Sequence, residues 1–210
     1  MTEAEWLECD EPIRMLNLVE NTATDRKARL YLCAGCRLCW DYFAHDESRH
    51  AVEMAERYAD GLATDDDMSQ ASYFAEVPTF HDDEPRRYAA ADLAYFLVSR
   101  NNLLGELNDC RFAGAAIATL PWPGSWLVRD IFGNPFRSVA IDPDWLLFRN
   151  GTVPQLAQTI YDDRRLDLLP ILADALQESG CTNSDILQHC HSPGPHVRGC
   201  WVVDLLLGKA

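Results

Sequence analysis

The chain has 210 residues, of which 48% are hydrophobic and 24% charged, an ordinary balance for a globular protein. This length supports one large domain or two small ones, and the composition excludes global disorder. The net charge is −15, and residues 1–120 carry 23 acidic against 11 basic side chains, so a nucleic-acid binder with a basic face is not expected.

The start, Met1-Thr2-Glu3-Ala4-Glu5, is acidic where a secretory signal needs positive charge and an apolar run. No stretch approaches the roughly 18 apolar residues of a membrane span. The expectation is a cytoplasmic protein, not a membrane protein, with its eight cysteines reduced rather than paired.

The periodicity is helical nearly throughout, which predicts an all-α, bundle-like or orthogonal multi-helix domain. Thr2 and Glu5 form a capping box before Trp6-Leu7. Pro12 suits the first turn of a second helix. Thr24 or Asp25 opens a long helix running to about Ala44, and a further helix spans Arg49 to Asp60 with Gly61 past its end. Thr64 opens another, with Asp65, Asp66 and Asp67 in its first turn, where the helix dipole favours negative charge. Residues 77–85 read as a loop. Residues 86–119 read as one or two alanine-rich helices, with Asn101-Asn102 and Gly105 as the break.

Three regions follow from this pattern: an acidic helical part over 1–120, a Trp- and Pro-rich ordered loop over 121–150, and a helical part over 151–210, together forming one compact unit. In the last region Thr152 opens a helix to Tyr161. Leu166 to Ser179 forms another, and Thr182 caps a short one to His189. Cys200 to Leu207 is apolar and fits either a helix or a short C-terminal strand.

Cys33-x-x-Cys36-x-x-Cys39 has the spacing of an iron–sulfur motif. It lies, however, within a helical pattern. On a helix, steps of three rotate each sulfur by roughly −60° and climb about 4.5 Å, so the first and third diverge. The expectation is a buried apolar stripe. The cluster Cys181, His189, Cys190, His191, His196 and Cys200 is different, with six metal-ligating side chains within 20 residues. His191-x4-His196 matches half of a zinc-finger spacing, and Cys181 and Cys200 complete a candidate zinc set with His191 and His196. The alternative is that these residues pack and cap.

His81-Asp82-Asp83-Glu84 and the trio His45, His50 and Glu53 are read as solvated surface groups. There is no G-x-S-x-G, H-E-x-x-H, P-loop or G-x-G-x-x-G, so no catalytic residue and no organic cofactor is assigned. In the 121–150 loop, Trp122, Trp126, Arg129, Phe136, Arg137 and Trp145 are of the types that dominate protein interfaces. Their alternative role is to close the core.

Thr2-Glu3-Ala4-Glu5-Trp6-Leu7, Asp25-Arg26-Lys27-Ala28-Arg29-Leu30, Asp130-Ile131-Phe132-Gly133-Asn134-Pro135-Phe136-Arg137 and His196-Val197-Arg198-Gly199-Cys200-Trp201-Val202-Val203-Asp204 resemble strings of a large paralogous family of planctomycete-type bacterial proteins. The resemblance spans most of the chain and implies no particular activity. One departure is Cys36-Arg37-Leu38-Cys39, where such relatives carry adjacent cysteines followed by arginine.

The leading expectation is a helical protein–protein interaction module with a protein partner and no catalytic activity. The alternative is a small zinc protein or metalloenzyme using the C-terminal cluster. An acidic nucleic-acid mimic is a third reading, resting on charge alone.

Overall fold

The computed structural model describes residues 1–80, 83–99, 103 and 119–209, and these contain twelve α-helices and no strand. The all-α expectation is met. The expected break at Asn101-Asn102 and Gly105, most of the second alanine-rich stretch, His81 and Asp82 lie outside the described residues. The chain divides into two compact units, Met1–Val128 and Arg129–Ala210.

The first unit contains α1 (Glu3–Glu8), α2 (Pro12–Val19), α3 (Asp25–Leu38), α4 (Asp46–Ala59), α5 (Asp65–Glu76) and α6 (Pro85–Ser99). Local signals in the sequence set several starts. Both donors of a capping box are satisfied at Thr2–Glu5 and again at Thr64–Asp67. Pro12 sits in the first turn of α2, and Thr24 caps α3 by accepting from the Lys27 N–H. The α3 helix stops at Leu38, short of Ala44, and a 3₁₀ turn follows over Trp40–Tyr42. Trp6, Met15, Phe43 and Leu97 are fully buried. Burying side chains of this size contributes roughly 1.5–3 kcal/mol each.

Cys33, Cys36 and Cys39 are 1%, 0% and 2% exposed, so the helical stripe is the observed arrangement. Between them, Gly35 permits a close approach: a Cβ there would overlap the Trp122 indole. Trp122 donates its Nε1–H to the Tyr31 hydroxyl at 3.1 Å.

The α7 helix (Ser125–Phe132) contains the division between the units. The second unit continues with α8 (Pro143–Leu147), α9 (Thr152–Asp163), α10 (Leu169–Glu178), α11 (Ser184–His191) and α12 (Trp201–Leu206). Its core includes Val153, Ile160, Leu172, Ile186 and Val203, all at most 1% exposed. One expectation is corrected here, and one open alternative is decided. The stretch 121–150 is not a continuous loop, because it contains α7 and α8. The α8 start has its own signal, with Pro143 in the first turn and Asp142 accepting from the Asp144 N–H at 3.0 Å. The C-terminal apolar segment is a helix rather than a strand. No strand lies among the described residues for it to pair with, and an unpartnered strand would leave its ladder groups unsatisfied.

No helix among the described residues is long and apolar enough to cross a membrane.

Candidate metal centre

Asp130 lies on α7, whose apolar face is formed by Leu127, Val128 and Ile131, each 0% exposed. At i+3 from Leu127, Asp130 shares that face and is itself only 3% exposed. A carboxylate placed there must be paired. Gly133 ends the helix at φ +68, and a Cβ at that position would approach the Trp201 ring at 3.1 Å. Both the backbone angle and the contact favour glycine there. Trp201 in turn stands edge-on to the His189 ring, with centroids 5.3 Å apart.

His189 projects from the last turn of α11. Beyond that helix, Ser192-Pro193-Gly194-Pro195 carries the chain to His196, and Cys200 is the N-cap residue of α12. Asp130 Oδ1 lies 2.6 Å from His196 Nδ1 and 3.3 Å from His189 Nε2. His189 Nε2 is also 3.1 Å from Cys200 Sγ. One potential ligand atom from each of Asp130, His189, His196 and Cys200 falls within 4.8 Å of all the others.

The surroundings orient these donors. Asp130 Oδ2 accepts the Val197 N–H at 2.9 Å, leaving Oδ1 directed at the histidines. His196 Nε2 lies 3.4 Å from the Ser192 carbonyl oxygen, which can only accept. A proton on Nε2 would donate to that carbonyl, leaving Nδ1, which faces Asp130, as the atom available to a metal. A ligating histidine anchored by a carbonyl on its far nitrogen is a common feature of metal sites.

Electrostatics agree with the geometry. Burial pushes the Asp130 carboxyl upward, but hydrogen bonds and charge from His189 and His196 outweigh it, and the net shift is downward. Burial depresses His196, yet its bond to Asp130 and the charge there prevail and raise it. Burial, reinforced by the Asp130 charge, holds the Cys200 thiol well above its ordinary value. Without a cation, the thiol therefore stays protonated. A divalent cation bound here would supply the field that ionises it.

The arrangement does not suit nucleophilic catalysis. In a Cys–His–Asp triad the thiol and the carboxylate engage opposite ring nitrogens. Here both face the same atom, His189 Nε2, and Cys200 is 0% exposed. Donor atoms that converge on one point could instead coordinate a metal ion. A tetrahedral zinc ion with bonds of about 2.0–2.3 Å holds its ligand atoms roughly 3.3–3.7 Å apart. The pairs at 3.1 and 3.3 Å are close to this, and the 2.6 Å Asp130–His196 contact would open by about 1 Å. With both histidines neutral, ionised Asp130 and Cys200 carry two negative charges, which balance a divalent cation in a buried site.

Of the four ligands expected from sequence, His196 and Cys200 are in this group and Cys181 and His191 are not. Cys181 is 3% exposed and belongs to the hydrophobic core of the second unit. His191 is exposed at the end of α11. Two residues along a helix turn the side chain by about 200°, so with His189 facing the cluster His191 faces away. The cluster contains His189 in place of His191, and Asp130, about sixty positions upstream, in place of Cys181. The readable signal for Asp130 was a lone carboxylate on the apolar face of α7.

The residues expected to form a contact surface differ in burial. Trp145 is 9% exposed and packs in the second core. Trp122, Trp126 and Arg129 are half-buried. Phe136 is 41% exposed, and the exposed Arg137 pairs with Asp185 at 2.7 Å.

Comparison of the chain with protein-family models, curated proteins and solved structures finds no match.

Proposed function

We propose that the second unit binds one divalent transition-metal ion, zinc, through Asp130, His189, His196 and Cys200, and that the ion acts as a structural staple. The observation that carries this reading is the convergence of four donor atoms from three separate stretches of chain within 4.8 Å. All four tetrahedral positions are filled by protein, as in structural rather than catalytic zinc sites. A mixed set of one thiolate, two imidazoles and one carboxylate suits zinc better than the hard cations magnesium and calcium. The ion ties α7 to α11 and to the loop leading into α12, so its binding free energy adds to folding.

Elemental analysis of protein purified from zinc-supplemented cells checks this. One zinc per chain is expected, falling to none in His189→Ala and unchanged in His191→Ala. A chain that carries no zinc and takes none up after refolding in its presence would refute the proposal.

A second reading, a protein-interaction module, is favoured by one face of α5. Tyr73, Phe74 and Val77 are 72%, 48% and 52% exposed there, within one helical turn of each other. No disulfide joins the seven described cysteines, which fits a reducing compartment such as the cytoplasm. The net charge of −15 argues against nucleic acid as the partner. Replacing Tyr73 and Phe74 with aspartate should abolish co-purification of a stoichiometric protein partner from native cells. Retention of that partner by the double variant would rule this face out.

A further inference from the structure

A separate feature lies on α6, in the first unit. This helix packs against α3, α4 and α5, and its residues from Ala89 to Val98 are all buried except Asp92 and Tyr95. At about 100° per residue, Tyr88, Asp92, Tyr95 and Ser99 fall within a single arc of about 60°. That arc is the narrow face of α6 that the fold leaves open. Tyr88 is 47% exposed on it, and the other three are half-buried. Tyr88 lies four residues before Asp92 and Tyr95 three after it, so both are its neighbours on the helix surface. One carboxylate therefore stands between two phenol rings, whose backbone positions are about 10.5 Å apart along the axis.

Asp92 lacks a counter-charge. Among the described residues no hydrogen bond or ion pair engages its carboxylate. Burial raises the carboxyl above its ordinary pKa, and no neighbouring charge offsets the rise. A carboxylate drawn out of water without a partner is a cost to folding. The same unit shows how such a group is satisfied elsewhere. Glu56 receives Arg37 through two contacts at 3.1 and 2.8 Å, and that guanidinium lies 4.2 Å from the centroid of the Trp40 ring. Asp25 receives Arg29 at 3.1 Å, with the guanidinium 4.9 Å from the Tyr58 centroid. Both are trios of carboxylate, aromatic ring and arginine. On α6 the carboxylate and two rings are in place, and no arginine among the described residues joins them.

We infer that the open face of α6 receives an arginine of a partner protein, its guanidinium bonded to the Asp92 carboxylate and flanked by the rings of Tyr88 and Tyr95. The chemistry is complementary at each point. A guanidinium is planar, offers a carboxylate two N–H donors at once and stacks on aromatic faces, whereas a lysine ammonium is a compact, strongly hydrated charge. Calcium needs six or more oxygen ligands, and this face offers one carboxylate between two rings. Tyrosine and arginine are also the residues that anchor protein interfaces. The excess of acid over base in residues 1–120 draws a basic partner toward this unit. The zinc ligands all belong to the second unit, so this contact does not depend on the metal.

Titration of the full-length, zinc-supplemented protein with the blocked peptide acetyl-Gly-Arg-Gly-amide, followed by NMR of ring-labelled tyrosines, tests the inference. Saturable shifts of the Tyr88 and Tyr95 rings are expected, with the exposed Tyr73 on α5 unmoved. Asp92→Asn should weaken binding at least tenfold, and Tyr88→Ala, at an exposed position, severalfold. Asp66→Asn removes the same charge from α5 and should leave the affinity within twofold. Because the Asp92 carboxylate is unpartnered in the free protein, Asp92→Asn should leave the melting temperature unchanged or raise it. Four results would each overturn the inference: shifts that fall equally on Tyr73, a citrulline or lysine analogue binding as tightly as the arginine peptide, Asp66→Asn weakening binding as much as Asp92→Asn, or a fall in melting temperature in Asp92→Asn, which would reveal a partner for the carboxylate within the chain.

Discussion

In the first unit Cys33, Cys36 and Cys39 run along the buried face of α3, and the polar atoms at hydrogen-bonding range of two of them are carbonyl oxygens, Val52 O at 3.9 Å from Cys33 and Pro121 O at 3.5 Å from Cys39. In the second unit Cys200 is just as buried, yet its sulfur faces an imidazole nitrogen at 3.1 Å, with a carboxylate and a second imidazole alongside. Burial is the same in both places, and desolvation raises the pKa of Cys36 as it does that of Cys200. The difference lies in the neighbours. Three thiols on one helix diverge and act as small hydrophobes. A single thiol is placed to act as a ligand where different chain segments bring other donors to the same point. Cysteine spacing in the sequence ranks the two regions in the opposite order.

Substitutions sharpen this contrast. The largest effect is expected for Asp130→Ala, which leaves two histidines and the Val197 N–H without their buried partner. Removing one member of such a buried charged set costs about 3–5 kcal/mol. Denaturant unfolding should show that loss, and amide exchange should place it in α9–α12 rather than in α1–α6. Gly35→Ala comes next. The methyl would overlap the indole of Trp122, and overpacking of this kind costs about 1–3 kcal/mol, here at the upper end because the ring is rigid. Its zinc content should stay at one per chain. Cys36→Ser buries a hydroxyl among apolar neighbours, at a cost of about 1–3 kcal/mol, again without change in zinc. Cys200→Ser should lose the metal.

The smallest expected effect is a change of sign with pH. In chelated protein, His196 is raised above its ordinary 6.5 by Asp130, so the stability from this pair is fully present below about pH 6.5 and is lost as pH rises through the folded value. Asp130 is depressed below its ordinary 3.8, so its contribution is present above that pH and is lost as pH falls through the folded value. Zinc-loaded protein should do the reverse above neutrality, because the metal displaces protons from its ligands and binds more tightly as pH rises. Melting temperatures of the two forms across pH 6–9 should therefore diverge.

Legibility in the sequence followed the range of the interaction. The capping boxes at Thr2–Glu5 and Thr64–Asp67 span three residues each and were readable. So was the helical setting of Cys33, Cys36 and Cys39, which separated them from a cluster motif. The α7 and α8 helices were obscured because prolines and aromatics around them read as loop chemistry, although Asp142-Pro143 carries an ordinary helix start. The candidate site was half readable. His196 and Cys200 lie in the dense C-terminal run, whereas the spacing pointed to His191 and the cluster holds His189, two residues away and so on the opposite face of the helix. Asp130 comes from a distant helix, and no local pattern joins it to His196. The hint it offered was energetic, a carboxylate between Leu127 and Ile131 on a face that is otherwise dry.

Cobalt(II) substitution tests the central claim most directly. Titrated into chelated protein, cobalt should give the intense visible bands of a tetrahedral ion and a thiolate-to-metal charge-transfer band in the near ultraviolet. That band should vanish in Cys200→Ser and persist in Cys36→Ser. A weak octahedral spectrum with no charge-transfer band, or a band unaffected by Cys200→Ser, would contradict the assignment of Asp130, His189, His196 and Cys200 as one metal centre.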